Sequence, residues 1–529
     1  MPTTTTITPK EVEKEEKEMT LEEEKEVKRQ VVLKTCIQYC TGTSDFLVLS
    51  QIGKVLEAEA EAGVGVEEKN KNDLQRGLEC KIVTGGETNF AYKLFLKNDP
   101  SKALFAKLGF DYALWNPDRS VLYDLKRMDN EFELMQRYSV LMKDRDTTMG
   151  GFTSTPISQP YHLIEIDQHS KLLISEWTDG DEQWANQFIE GIVDKRVLPK
   201  LAKALATLNT TKDFDPTFND NARPAVTSMV PILKVIFQNT IDSYNGNGTG
   251  IVTSAVAVAD PHDASIQLAT EIGHDEFNLM IDKWINSYMN DRQCLIHNDA
   301  HCFNILVEKK PSISTLENFG PNGSVFLIDW EMAVAGPYGA DPGKVIFYPI
   351  ACAIVHAMNG NKLEAYHILD CINEFWNHYE SYIIDMKGIN DADDEAFMID
   401  LYRSTLGWAG SIAYVVFYQL NIFNDTMPVQ ELSSEQKSEV KGRYASVSLK
   451  LMKFAYGSDR RVDLSLEESK AFFNDLLTTE IDELIAITAA TAAAAPCNRR
   501  RSSMLRTTGK RVSVSEEVIA EVQRRMSSQ

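Results

Sequence analysis

Apolar and polar positions alternate along residues 81–108. "KIV" and "NFAYKLFL" flank "TGGET", and "KALFAKL" follows "KNDPS", with Asp-Pro as the breaker. Runs of this period, bounded by turn residues, predict antiparallel strands. The period then lengthens. "RMDNEFELMQRYSVLM" places Met128, Phe132 and Met135 on one helical face. "HLIEI" and "KLLISEW" predict a strand pair, and "LPKLAKALATLN" a helix. After "SVFLIDW" the pattern is helical to about residue 487. Periodicity is lost over residues 239–262, where Gly, Asn, Ser and Thr crowd together, so that stretch reads as an insertion. A small strand-rich part followed by a large helical part predicts an α+β fold in two lobes. The expected boundaries are an arm over residues 1–30, an N-lobe over 31–178, a C-lobe over 179–487 and a tail over 488–529. A cleft between lobes is the natural place for a ligand.

"STLGWAGSIAYVVFYQLNIF", residues 404–423, carries no charge and has the length of a membrane span. Ser404, Thr405, Ser411, Gln419, Asn421 and two glycines dilute it, and no basic cluster flanks it. It reads as a buried core helix.

The 529 residues are 43% hydrophobic, enough for two large cores. A net charge of −23 argues against a broad nucleic-acid surface. Eight cysteines are scattered, with Cys36 and Cys40 at helical spacing, and no zinc or disulfide framework emerges. The acidic start lacks an apolar core or transit composition, so a cytoplasmic protein without a membrane span is expected. From Asn498 onward eight Lys/Arg stand against three Glu, and Ser502, Ser503 and Ser513 lie next to basic residues. This is a basic tail of the kind basophilic kinases modify.

The candidate chemistry centres on "LIHNDAHCFNILV", residues 295–307. Two histidines, an aspartate and an asparagine are bracketed there by apolar runs. Phosphoryl transfer needs a close backbone over phosphates, a cation on their oxygens, carboxylates for metal ions and a base at the acceptor hydroxyl. Candidates occur in that order. Gly85 and Gly86 of "TGGETN" let backbone approach an anion, and Thr88 and Asn89 add donors. Lys107 ends "LFAK" and is placed to reach phosphates, and either Glu131 or Glu133 on the next helix could pair with it. Asp299 would accept or orient a hydroxyl proton, and Asn304 offers an oxygen to Mg²⁺. His297 and His301 would brace the loop, with His301 alternatively facing the acceptor. In "FLIDWE", Asp329 and Glu331 would share a face of an extended backbone and repel unless a cation lies between them. A zinc site from His297, His301 and a carboxylate is the competing chemistry.

Taken together, "HNDAHCFN" and the "DWE" that follows resemble the catalytic and metal loops of the aminoglycoside-phosphotransferase/choline-kinase group of small-molecule kinases. "TGGETN" and "HND" are similar to choline and ethanolamine kinases, whereas "AGPYGADPG", "LDCINEFWNHYESY" and "STLGWAG" look more like 5-methylthioribose kinase. The resemblance implies a two-lobed, protein-kinase-like fold that uses ATP and Mg²⁺ on a small-molecule alcohol, and dimers are common among such enzymes. It makes Asp299 the base, Asp329, Glu331 and Asn304 the metal ligands, Lys107 a phosphate ligand, and Gly85 to Asn89 the phosphate loop. Backbone around Glu176 and Thr178 of "SEWTD" would meet adenine, and Asp341 would brace the catalytic loop. Two positions depart from the methylthioribose pattern. Asn298 stands where glycine is usual, and Val415 and Val416 stand near the usual arginine pair. The alternatives are choline or ethanolamine kinase activity, a protein kinase (no activation segment follows "DWE"), or a non-catalytic nucleotide-binding scaffold.

Overall fold

The computed structural model describes residues 21–40, 78–83, 89–97, 99–112, 124–149, 158–178, 182–212, 214–223, 227, 230, 234, 237, 238, 264–308, 325–389, 392–419, 432–458 and 464–494. Gly85, Gly86, Thr88, the 239–262 stretch and the tail serines lie outside them. The chain divides into two compact units, Met1–Leu125 with Pro160–Trp177, and Lys126–Gln159 with Thr178–Gln529.

The first unit is an antiparallel sheet of five strands: β1 (Leu78–Val83), β2 (Asn89–Leu96), β3 (Asp99–Phe110), β4 (Pro160–Asp167) and β5 (Ser170–Glu176). Their order is β1-β2-β3-β5-β4. Phe90, Tyr92 and Leu94 of β2 and Leu104, Ala106 and Leu108 of β3 alternate onto one buried face. Asp99 and Pro100 open β3 and do not sit in the turn, and a strand's first residues tolerate proline. Helix α1 (Leu21–Cys40) adds Val32 and Cys36, four residues apart on one face, to the same core. The Arg29 guanidinium donates to the Cys80 carbonyl at 2.9 Å, and the Tyr92 hydroxyl to that of Lys25 at 3.2 Å. Residues 21–30, expected in a separate arm, are therefore the first half of a helix built into the sheet unit.

The second unit is mostly helical. It contains α2 (Lys126–Met149), α3 (Ala185–Glu190), α4 (Val197–Asn209), α5 (Ala264–Asn290), α6 (Ala340–Met358), α7 (Lys362–Lys387), α8 (Ala392–Gln419), α9 (Ser434–Tyr456) and α10 (Leu466–Ala494). The α+β class, with a small antiparallel sheet and a larger helical part, is thus the one the chain forms. The division differs from the expected 31–178 and 179–487, because α2 groups with the second unit and α10 runs on to Ala494.

Every residue of α6 is buried. A helix apolar on all sides must be enclosed by others, and α8 and α7 do this. The contact is close because glycines face it. A Cβ on Gly343 would lie 2.6 Å from the Trp408 Cβ and 2.7 Å from the Thr405 carbonyl oxygen. On the other side of α8, a Cβ on Gly410 would lie 2.6 Å from the Ser448 carbonyl oxygen of α9. The "GADPG" and "STLGWAG" stretches therefore mark helix crossings. The apolar run from Ser404 occupies the interior of α8, and no helix among the described residues is long and apolar enough to cross a membrane.

Pro349 interrupts α6 and cannot donate to the carbonyl four residues back, that of Val345. The Cys302 thiol takes that carbonyl instead, at 3.5 Å. Gly343→Val should lower unfolding free energy by about 3 kcal/mol through overpacking against backbone that has no room to move. Urea denaturation checks this, with the exposed helix-end variant Gly388→Asn as a near-neutral control at a left-handed position.

Candidate active site

Two loops of the second unit hang from short strands that pair with each other, and β6 (Glu182–Gln183) lies alongside one of these strands. β7 (Cys294–Ile296) leads into residues 297–304, and β8 (Ile305–Val307) leads out. β9 (Val325–Leu327) leads into Asp329–Ala333, and β10 (Val334–Gly336) leads out. β7 pairs with β10 through Ile296 and Val334, and β8 with β9 through Ile305 and Leu327. Both ends of the 297–304 loop are thus fastened to both ends of the acidic loop. The Ile328 N–H also donates to the Asn304 carbonyl at 3.0 Å.

The backbone of the first loop is aimed by Asp341, at the start of α6 and fully buried. Its carboxylate accepts the N–H groups of His297 and Asn298, each at 2.8 Å, and the Asn209 amide at 3.3 Å. Asn209 also donates to the Leu295 carbonyl and accepts from the Tyr379 hydroxyl at 2.7 Å. His297 is buried against Trp330, with ring centroids 4.4 Å apart, and its Nδ1 accepts the Asp299 N–H at 3.3 Å. That bond assigns the proton to Nε2. Burial pushes the imidazole down to about 4, so His297 is a neutral brace.

Asp299 keeps 31% of its side chain exposed. Its Oδ2 accepts the Asn304 amide at 2.8 Å and lies 3.5 Å from His301 Nε2. Burial alone would raise its pKa, but His301, with Lys344 and His297 behind it, outweighs that and holds the carboxyl well below the usual carboxylate range. Such a carboxylate is ionised at neutral pH and able to accept a hydrogen bond from an acceptor hydroxyl. With Nδ2 of Asn304 committed to Asp299, Oδ1 is the side-chain atom of Asn304 that could serve as a metal ligand.

Asp329 does not lie on extended backbone. It is left-handed, at φ 68° and ψ 60°, and Glu331 follows in a single 3₁₀ turn over Trp330–Met332. The two carboxylates converge through that kink, not through strand alternation. Glu131 of α2 joins them, and oxygens of Glu131, Asp329 and Glu331 all lie within 4.8 Å of one another. Three hard oxygen donors at that spacing fit Mg²⁺. The Trp330 N–H donates to Glu131 at 3.2 Å, and Arg127, one turn earlier on α2, pairs with Glu331 at 2.9 Å, both nearly fully buried. Asn219 fixes the loop from a third side. Its amide donates to the Glu331 and Ala333 carbonyls at 3.0 and 2.9 Å and accepts from Asn130.

The structure therefore brings Asp299, Asn304, Asp329, Glu331 and Glu131 into the second unit. Glu131 is buried and Glu133 exposed, which gives Glu131 a place in the acidic cluster that sequence reasoning did not foresee. Asn89 and Lys107 are buried in the sheet of the first unit, on β2 and β3. Glu176 ends β5 exposed, and Thr178 is half-buried just beyond it. Arg127, Asn130, Asn209, Asn219 and Lys344 were missed. Buried polar residues among apolar ones, in the turn "FDPTFND" and at the helix start "GADPGK", were the available signal.

Residues 148–375 match the sequence model described as the phosphotransferase enzyme family, a span that includes both loops. The match covers less than half of the chain. No curated protein sequence matches the chain. Among solved structures, a choline kinase from Cryptosporidium parvum Iowa II aligns at 12% identity and TM-score 0.36, covering 83% of this chain and 98% of that one. The aminoglycoside phosphotransferase APH(4)-Ia aligns at 11% and 0.32, covering 72% and 97%. A glucosamine kinase aligns at 10% and 0.33, covering 69% and 79%. At these scores the structural likenesses carry no argument about function.

His297 should set an acid limit on stability. The folded chain keeps it neutral down to about pH 4, whereas the unfolded chain protonates it near 6.5. Its contribution is complete above pH 6.5 and is lost as pH falls toward 4, amounting to about 3 kcal/mol. Denaturation midpoints between pH 7 and 4 should show that slope in the wild type and a flatter one in His297→Gln. Arg127→Met removes the counter-charge of a buried carboxylate and should cost about 3 kcal/mol, most of which Arg127→Met/Glu331→Gln recovers in the same assay.

Proposed function

We propose that the protein is an ATP- and Mg²⁺-dependent kinase that phosphorylates a hydroxyl of a small metabolite. The observation that carries this reading is that the loop of Asp299 and Asn304 and the loop of Asp329 and Glu331, whose carboxylates cluster with Glu131, are fastened together at both ends by paired strands. A partly exposed, ionised carboxylate beside a cluster of oxygen donors is what in-line transfer to an alcohol requires. Asp299 orients the acceptor hydroxyl and takes its proton as the oxygen attacks the γ-phosphorus. The bond from that phosphorus to the bridging oxygen breaks, and ADP leaves. Asp329, Glu331, Glu131 and Asn304 would hold Mg²⁺, which when bound neutralises charge on the β- and γ-phosphate oxygens. Lys107 and the Gly85–Asn89 stretch are assigned to phosphate, and the backbone near Glu176 and Thr178 to adenine. Most of the rate enhancement then comes from positioning and charge neutralisation.

Methylthioribose is the first acceptor to test, because the longer similar stretches, "AGPYGADPG" and "STLGWAG", favour it over an amino alcohol. The test is ADP release with ATP and Mg²⁺ over a panel of 5-methylthioribose, other pentoses, choline, ethanolamine and glucosamine. Turnover is expected with one acceptor, and Asp299→Asn should reduce kcat by about a thousandfold or more while nucleotide affinity changes little. Equal turnover in Asp299→Asn removes it from the mechanism. Nucleotide binding with no acceptor phosphorylated favours a scaffold.

A further inference from the structure

The residue before Asp299 is the most heavily constrained position in the loop. Asn298 has a left-handed backbone at φ 62° and is 1% exposed. Asparagine tolerates that conformation better than most residues, but glycine adopts it without strain. A conformational requirement alone therefore does not explain an asparagine here. Its side chain is fully used. Nδ2 donates to the Tyr288 hydroxyl and to the Met332 carbonyl, each at 3.0 Å. Oδ1 accepts from Lys344 Nζ at 3.2 Å, and the same ammonium donates to the Asn298 carbonyl. Met332 closes the 3₁₀ turn that carries Glu331.

The Asn298 amide is thus a direct bridge between the loop of the base and the loop of the acids. Lys344 holds both ends of that residue from α6. It lies one turn after Asp341, so one face of one helix grips the N–H of Asn298 through Asp341 and its two oxygens through Lys344. Lys344 is 5% exposed, and a buried ammonium is costly unless its donors are engaged. Asp299, Asp341 and the two Asn298 oxygens around it supply that engagement.

We propose that Asn298 and Lys344 form a positioning pair that fixes Asp299 relative to the Asp329–Glu331 turn. The inference rests on the proposed function insofar as Asp299 is the group being positioned. Asn298→Gly separates the two explanations, since it keeps the left-handed backbone and deletes the bridge to Met332 together with the side-chain bonds to Tyr288 and Lys344. The variant should fold, with a melting temperature lowered by several degrees because Lys344 and Tyr288 each lose a buried partner. Its kcat should fall about tenfold or more with KM for ATP unchanged within about twofold, because misplacement acts on the transition state and not on nucleotide binding. Amide hydrogen exchange at residues 297–299 and 330–332 should accelerate together by about tenfold. Lys344→Met should give the same two signatures, and the double variant should be little worse than the worse single one, as expected of groups acting as a unit. If Lys344→Met does not fold, Asn298→Gly decides alone. Wild-type kcat and wild-type exchange in Asn298→Gly overturn the proposal and leave Asn298 as a turn residue. The exchange measurement needs no turnover, so it decides whether the two loops are joined even if Asp299→Asn shows the proposed function to be wrong.

Discussion

The buried carboxylate of Asp341 is the constraint on which the rest of the site depends. Burying a carboxylate costs several kcal/mol unless its oxygens are well supplied with donors. Here the supply comes from the backbone N–H groups of His297 and Asn298 and from Asn209. The requirement works in both directions. The carboxylate stays buried only if the loop presents its amides, and the loop keeps its turn only if the carboxylate is there. Because α6 is enclosed on all sides, this fixed point does not drift. The direction of Asp299 is in this sense a property of helix packing around α6, transmitted through two backbone hydrogen bonds.

Around that point the loop is held at several independent places. The Cys302 thiol occupies the carbonyl that Pro349 leaves vacant in α6. Lys344 takes the two oxygens of Asn298. His297 fills the space against Trp330 and accepts the Asp299 N–H. Each contact is modest alone. Together they fix the Asp299 carboxylate, partly exposed like His301 and Phe303, on a loop whose other residues are buried, which is the arrangement a preorganised site needs.

The acidic loop is governed by charge more than by shape. Three carboxylates within 4.8 Å repel one another strongly in a low-dielectric setting. Arg127 offsets part of that repulsion at Glu331, and the Trp330 N–H does so at Glu131. Arg127, Asn130 and Glu131 stand at helical spacing on one face of α2, so a single helix face supplies a cation and a carboxylate to the loop and an amide to Asn219, which holds the loop in turn. The remaining negative charge suits one divalent cation.

Period and punctuation in the sequence determined much of this protein. Alternation around "NFAYKLFL" and "KALFAKL" decides strands, because side chains on extended backbone point alternately to core and solvent. The dilution of residues 404–423 by glycine and small polar groups decides a core helix, since those residues let α6 and α9 approach. The chemical types in "HNDAHCFN" and "DWE" were legible for a similar reason, because few other uses bring those side chains so close together in sequence. Long-range polar pairing was not legible. The place of Glu131 beside Asp329, the Arg127–Glu331 pair and the bridge from Asn298 to Met332 join residues 34 to 204 positions apart. No local period encodes such distances. The convergence of Asp329 and Glu331 likewise depends on a left-handed residue that strand alternation does not foresee. The sequence by itself determined which elements form and which residue types are available for chemistry, because both follow from local backbone preference and side-chain character. Only the tertiary structure decided which buried charges meet, because a buried charge finds its partner by burial and proximity rather than by order along the chain.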